Sequence, residues 1–340
     1  MTTARDVRAP LVPRDLPTPR PPHSPDRSAP VRRRDFPGSS RQSKLLAQAI
    51  RMSVRPLLGL WGRSTTLPWP TGLLDAAGAL LPAIDGTVCA PVQLPNCTGS
   101  WVEGPRTGFD RVMLYLHGGG FLCGGMRSHL RLVSRISDAG RTPVLMVDYR
   151  MLPKHSIDDA VDDGVEGYLF LLAAGYRPDQ IVIAGDSAGG YLAFMVSLAL
   201  RDRGVPVPGA IVALSPLTEL DPARKLGHSS AAHCTLLPGN ALEALAGLAG
   251  RRQESGRICP ADADLSGMPP TFIQVGSHEL FLVDAESMAD RLADAGIACE
   301  LQVWDRQVHV FQAAADLLPE GVRAIGEIGR FVRSAVPGSR

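Results

Sequence analysis

The chain of 340 residues has no apolar run long enough to span a bilayer; the longest, Tyr191 to Leu200, falls well short of the ~20 residues needed. Nor does an apolar h-region follow the positive N-terminus, so no secretory signal is visible. Together these absences predict a soluble, cytoplasmic protein, with peripheral association at the cell envelope left open. The six cysteines (Cys89, Cys97, Cys123, Cys234, Cys259 and Cys299) form no CxxC pair or other metal-ligand spacing, and reduced thiols are expected. Cys89 and Cys97 could bridge across a hairpin, but nothing requires it. A formal net charge of +1 gives no general attraction to nucleic acid or membrane.

Apolar residues make up 45% of the chain and charged residues 20%, enough for a sizeable core in a globular protein. Charge is uneven, however. Residues 1–43 hold nine Arg, four Asp and nine Pro, a net of +5 that leaves −4 for the remainder. Such a segment buries too little apolar surface to offset its ordering entropy, so it is predicted to be a disordered, solubilising tail. Leu46, Ile50, Val54 and Leu57 then recur at helical spacing, with Pro56 expected to end or kink the helix. A core-facing role is favoured for that stripe over a membrane-surface one. A second short helix is expected over 73–81, and a hairpin of edge strands over 86–104.

Beyond Asp110, strands and helices alternate. Strands are expected at 111–116, 143–149, 180–184, 210–214, 271–275 and 299–304, and helices at 127–139, 157–174, 188–203, 284–295 and 318–334. This order predicts an α/β fold, a mostly parallel sheet with helices on both faces. The alternation lapses for over fifty residues between Ser215 and Pro270, too long for a simple loop and readable as an inserted lid.

Three stretches carry chemistry. Gly185-Asp186-Ser187-Ala188-Gly189 joins a buried strand to a buried helix, where a serine can be held in a sharp turn with its hydroxyl exposed. His117-Gly118-Gly119-Gly120-Phe121 follows the 111–116 strand, and its bare backbone N–H groups suit an oxyanion. A dinucleotide loop with Asp148 as ribose-binding acid is the weaker reading, since the spacing is G-x-G-x-x-x-G. Of eight histidines, His309 stands on the last strand-to-helix loop, where the order Ser…Asp/Glu…His places the base. The acid is Glu279, just past a strand end, with Asp284 as the alternative; Asp284 also suits the start of a helix. His117 is expected to position the glycine loop. The acids Asp158, Asp159, Asp162 and Asp163 read as a solvated, dipole-compensating helix face, and no metal site is expected.

Taken together, these motifs, with Asp148-Tyr149-Arg150 and Pro153, resemble those of the bacterial hormone-sensitive-lipase-like esterases of the α/β-hydrolase superfamily. The resemblance covers residues 110 to 335 well and 44–105 more loosely. It implies one catalytic domain over 44–340, with a helical cap from about 44–82 and 216–262. It implies a serine carboxylesterase that hydrolyses short- to medium-chain esters through an acyl-enzyme on Ser187, without a cofactor. His309 would be the base, Glu279 the acid, and Gly118, Gly119 and Ala188 the oxyanion hole. The implied partner is a small-molecule ester, with no nucleic acid; contact with a membrane surface and the oligomeric state are left open. Two departures stand out. Glu279-Leu280-Phe281 replaces the frequent Asp-Pro-Leu, and His309-Val310-Phe311 replaces the frequent His-Gly-Phe. The same triad would serve an acyltransferase or a phospholipid or other lipid hydrolase, the latter suggested by the Arg-rich tail and the 44–58 helix. A non-catalytic ligand-binding protein of the same fold is the alternative of another class, and the presence of His309 argues against it.

Overall fold

The computed structural model describes residues 31–64, 82–250 and 259–336. The helix expected at 73–81 and residues 1–30 of the expected tail lie outside the described residues. Nine described strands form one sheet: β1 (Val31–Phe36), β2 (Val88–Gln93), β3 (Thr98–Glu103), β4 (Val112–Leu116), β5 (Val144–Asp148), β6 (Ile181–Asp186), β7 (Ala210–Leu214), β8 (Thr271–Gly276) and β9 (Cys299–Trp304). Their spatial order is β1-β9-β8-β7-β6-β4-β5-β3-β2. All neighbours are parallel except β2–β3 and β3–β5, so the expected hairpin is the antiparallel edge of a parallel sheet.

The five residues of β4 are all buried because the sheet is covered twice. Val112, Leu114 and Leu116 point into one cluster with α4 (Ile157–Ala173), α5 (Ala188–Asp202) and α8 (Leu282–Asp294). Met113 and Tyr115 point the other way, into a cluster with α3 (Met126–Gly140) and α9 (Pro319–Ala335). From β4 the chain moves outward to β5, then crosses back to β6 on the other side of β4. That reversal opens a crevice beyond the carboxyl ends of β4 and β6, where open parallel sheets bind ligands. The glycine loop and Ser187 leave from those two ends. No helix among the described residues is long and apolar enough to cross a membrane, and all six cysteines are free thiols.

The N-terminal expectation needs correcting. Residues 31–43 are ordered: Val31–Phe36 pairs in parallel with β9, residue for residue from Val31↔Cys299 to Phe36↔Trp304. Long-range partners stabilise this charged edge strand. Arg34 bridges Glu300 and Glu327, and the Phe36 ring stacks on Trp304 at 4.0 Å between centroids. Ser40 then caps α1 (Arg41–Met52), its hydroxyl accepting from the Ser43 amide.

The expected single stripe is also broken. Ser53 separates α1 from α2 (Val54–Arg63), and Pro56 lies in the first turn of α2, where its missing N–H costs nothing. Leu46 and Ile50 face the core beside Trp304, whereas Val54 and Leu57 are exposed. Within the expected lid lie α6 (Ala223–Gly227), a 3-10 turn (Ser229–His233) and α7 (Gly239–Gly250). The second N-terminal helix, α2, meets this stretch. Asn240 Nδ2 donates to the Gly59 carbonyl at 2.7 Å, and Arg55 donates to the carbonyls of Cys234 and Leu237.

If β1 is part of the folded body, Phe36→Ala should lower the unfolding free energy by about 2 kcal/mol. Urea titration reads this directly, and an unchanged midpoint would return β1 to the status of a dispensable tail.

Candidate active site

Ser187 sits between β6 and α5 with φ +54° and ψ −118°, a backbone conformation that L-residues avoid. Such strain costs about 1–3 kcal/mol and persists only where the surroundings enforce it. Here the Ser187 amide donates to the Leu214 carbonyl at 2.8 Å, and its own carbonyl accepts from Leu217. The turn is too tight for side chains on either flank. A Cβ on Gly185 would lie 2.2 Å from the Gly189 carbonyl oxygen, and one on Gly189 would lie 1.9 Å from that of Leu116.

His309 and Glu279 come together from the loops after β9 and β8. The Nδ1 atom of His309 is 2.6 Å from Glu279 Oε2, and both side chains are buried. The other carboxylate oxygen, Oε1, accepts from the Gly276 amide and from the Ser215 hydroxyl, each at 2.7 Å. Phe281 meets the imidazole edge-to-face at 5.0 Å. With Oε1 held twice, Oε2 is left to orient the ring.

Asp284 does not share this role. Its Oδ2 accepts from the Thr218 amide at 2.8 Å and from that of Glu219, and its Oδ1 lies 3.2 Å from Nζ of the wholly buried Lys225. Burial pushes its carboxyl above the usual range, opposed by the Lys225 ammonium and the two amides. The alternative acid is therefore an internal strut between α8 and the loop after β7, both its oxygens engaged there, and the carboxylate on the His309 ring is that of Glu279.

The glycine loop brings a second correction. The Gly118 amide already donates to Asp186 Oδ1 at 3.0 Å, inside a buried network, so it is not free for an oxyanion. Tyr115 donates its hydroxyl to the same Asp186 oxygen at 2.8 Å, and His129 Nε2 lies 3.5 Å from the other. Burial alone would raise the Asp186 carboxyl; His129, Tyr115 and the Gly118 amide outweigh it and hold the group below the usual range. The amides of Gly119 and Gly120 have no acceptor among the described residues. Ala188 opens α5, where first-turn amides lack intrahelical partners. His117 is fully buried, stacked on Tyr149 at 4.3 Å, with Nδ1 2.8 Å from the Gly118 carbonyl, so it braces the loop as expected. The dinucleotide reading fails on geometry, because α3 starts only at Met126 and the glycine triplet caps no helix.

Leu245 of α7 closes over this loop: a Cβ built on Gly120 would come within 3.4 Å of its Cδ2. Among the described residues, no group of three or more His, Cys, Asp or Glu is arranged to hold a metal ion. The acidic cluster on α4 is not uniformly solvated. Asp159 forms a capping box with Ser156, while the fully buried Asp163 receives the Arg150 guanidinium and amide.

Three contributors carry little signal in the sequence. Ser215, buried at φ +45°, holds Glu279 through its hydroxyl and accepts the Val310 amide at 3.2 Å. Its signal was a polar residue directly after a wholly apolar strand. His129 supports Asp186, and nothing local marks it. Gly120 carries no mark of its own in the sequence, because three consecutive glycines look alike.

Comparison with known proteins follows the same lines. The sequence pattern of the alpha/beta hydrolase fold family matches residues 113–313. The chain is 41% identical to the carboxylesterase/phospholipase LipF of Mycobacterium tuberculosis over 314 residues, covering 89% of this chain and 84% of that one. It is 43% identical over 296 residues to the esterase LipU of the same organism, covering 84% of this chain and 99% of LipU. A crystal structure of an esterase from the bacterial hormone-sensitive lipase family superposes with a TM-score of 0.78 at 32% identity, covering 88% of this chain and 99% of that one.

Two variants separate the carboxylates. Glu279→Ala should lower kcat about 10⁴-fold while leaving the fold intact. Asp284→Ala should leave kcat within about tenfold yet lower stability by about 3–5 kcal/mol, because Lys225 loses its partner. Steady-state kinetics with urea titration reads both, and the opposite pattern would exchange the two roles. Ser215→Ala, which removes one of two donors to Glu279 Oε1, should lower kcat/KM about tenfold; unaltered kinetics would reduce Ser215 to packing.

Proposed function

The chain belongs to the alpha/beta hydrolase fold family and is a carboxylic ester hydrolase, and we propose that it works through an acyl-enzyme on Ser187. His309 is the general base and Glu279 the carboxylate that orients it. The observation that carries this reading is the 2.6 Å contact between Glu279 Oε2 and His309 Nδ1. With Nδ1 engaged, Nε2 is the ring atom left to take the Ser187 proton.

Ser187 Oγ attacks the ester carbonyl as His309 takes its proton. The tetrahedral oxyanion is received by the amides of Gly119, Gly120 and Ala188, each such donor being worth about 3 kcal/mol in the transition state. Collapse expels the alcohol, protonated by His309, and leaves the acyl group on Ser187. Water, deprotonated by His309, then attacks the acyl carbonyl through the same oxyanion site and releases the acid. Throughout, Glu279 stays ionised and stabilises the imidazolium, aided by the Gly276 amide and the Ser215 hydroxyl. Release to water rather than to another alcohol fits relatives whose names are esterase and acetyl-hydrolase.

The substrate is a small-molecule ester of short to medium acyl chain. The catalytic domain extends over 44–340 in this reading, and its cap comprises 44–82 and 216–262. Support comes from α2 being hydrogen-bonded to α7 and from Leu245 lying against the glycine loop, which narrows the space above Gly120. Phospholipid hydrolysis is a second reading, favoured by the identity to LipF, a protein named carboxylesterase/phospholipase.

Ser187→Ala should lower turnover of p-nitrophenyl butyrate by about 10⁴-fold or more; retained turnover would remove Ser187 from the chemistry. Across p-nitrophenyl esters from acetyl to palmitoyl, kcat/KM should peak at the short to medium chains. A maximum at the longest chains would replace the esterase reading with that of a lipid hydrolase.

A further inference from the structure

We propose that the outward face of α1 and α2 is a docking surface for an anionic lipid bilayer. The two helices and Ser53 between them, residues 41–63, contain five basic residues and not one acidic residue, while the chain from residue 64 onward carries a net −8. Arg55 is occupied with the Cys234 and Leu237 carbonyls. The other four, Arg41, Lys44, Arg51 and Arg63, are exposed and join no ion pair among the described residues. Other surface arginines are matched, among them Arg106–Asp138, Arg131–Asp316 and Arg203–Asp162, while Arg32, Arg127 and Arg141 are scattered exposed cations without such a partner among the described residues.

The same face is greasy. Leu45 is 70% exposed, Met52 71%, Leu57 58% and Leu60 57%. Leu45 and Met52 are seven residues apart and share one side of α1; Leu57 and Leu60 are three apart and share one side of α2. These side chains are not the ones that hold the helices to the body. That is done by Leu46 and Ile50 against the Trp304 cluster, by Ser43 on Gln307 at 3.0 Å, and by the buried Trp61. The helices thus have an apolar side facing the protein and a second, cationic and apolar, facing outward.

Aliphatic side chains interleaved with unpaired cations suit a bilayer interface, where both gain at once. Nucleic acid would reward the cations but leave the leucines and Met52 without a partner. A two-fold contact with a second copy would press each cationic face against its like. Docking is coupled to the site by position, since α2 is hydrogen-bonded to α7, and Leu245 of α7 lies against Gly120. A bilayer on α2 is therefore separated from the glycine loop by α2 and α7.

The test is sedimentation of the full chain with vesicles of phosphatidylcholine, alone or mixed with phosphatidylglycerol, at low and high salt. Binding to the phosphatidylglycerol vesicles should exceed that to phosphatidylcholine at least tenfold and fall with salt. Arg41→Glu, Lys44→Glu and Arg51→Glu together should abolish the difference. Leu45→Ser, Met52→Ser and Leu57→Ser together should weaken binding at least tenfold. Both variants should keep the circular dichroism spectrum and the solution turnover of p-nitrophenyl butyrate. The proposal is overturned by equal binding to both vesicle types, by no binding, by binding that survives both variants, or by a dimer that the serine variants dissolve.

Discussion

A buried carboxylate holds the working end of this molecule together. Glu279 receives the Gly276 amide that ends β8, the Ser215 hydroxyl that follows β7, and the His309 imidazole beyond β9. Taking such a charge out of water costs several kcal/mol unless donors replace the solvent. Three donors from three neighbouring strands do so. The same demand that satisfies the charge fixes the relative position of three loops, and with them the imidazole.

A second buried carboxylate performs the matching task on the other side of the crevice. Asp186, at the end of β6 and adjacent to Ser187, reaches across to the Gly118 amide and the Tyr115 hydroxyl of β4 and its loop. The amide lost to Asp186 is the cost of holding the glycine triplet still, and the next two amides become the ones able to meet an oxyanion. Strain accumulates around these anchors. Ser187, Ser215 and Val310 all have positive φ, and the Ser215 hydroxyl bonds the Val310 amide directly. Val310 is the most telling of the three. A β-branched residue in the left-handed region is an outlier, and this is the position where glycine would be at ease.

What could be read from the sequence was what depends on neighbours in sequence. Gln180–Ala184 followed by Gly185-Asp186-Ser187-Ala188-Gly189 declares a strand, a tight turn and a helix within a few residues. The order of Ser187, Glu279 and His309 follows from chain direction alone. What escaped depends on partners far along the chain. Which of Gly118, Gly119 and Gly120 is occupied is decided by a carboxylate 68 residues away. The strand at Val31–Phe36 looks like an unstructured basic stretch until Glu300 and Glu327, 266 and 293 residues on, neutralise Arg34. Asp284 resembles a helix-start acid in sequence, and only the burial of Lys225 reveals it as a strut. The broken stripe of α1 and α2 belongs to the same class, for Leu57 matches the core pattern by spacing yet faces outward.

The central claim is that Glu279, by orienting His309, makes Ser187 the nucleophile. Inactivation by a p-nitrophenyl alkylphosphonate, followed by intact and peptide mass measurement, tests it most directly. The account predicts one adduct per chain, on Ser187, forming at least a hundredfold more slowly in Glu279→Ala than in the unaltered protein. An adduct on another residue, or a labelling rate indifferent to Glu279, would contradict it.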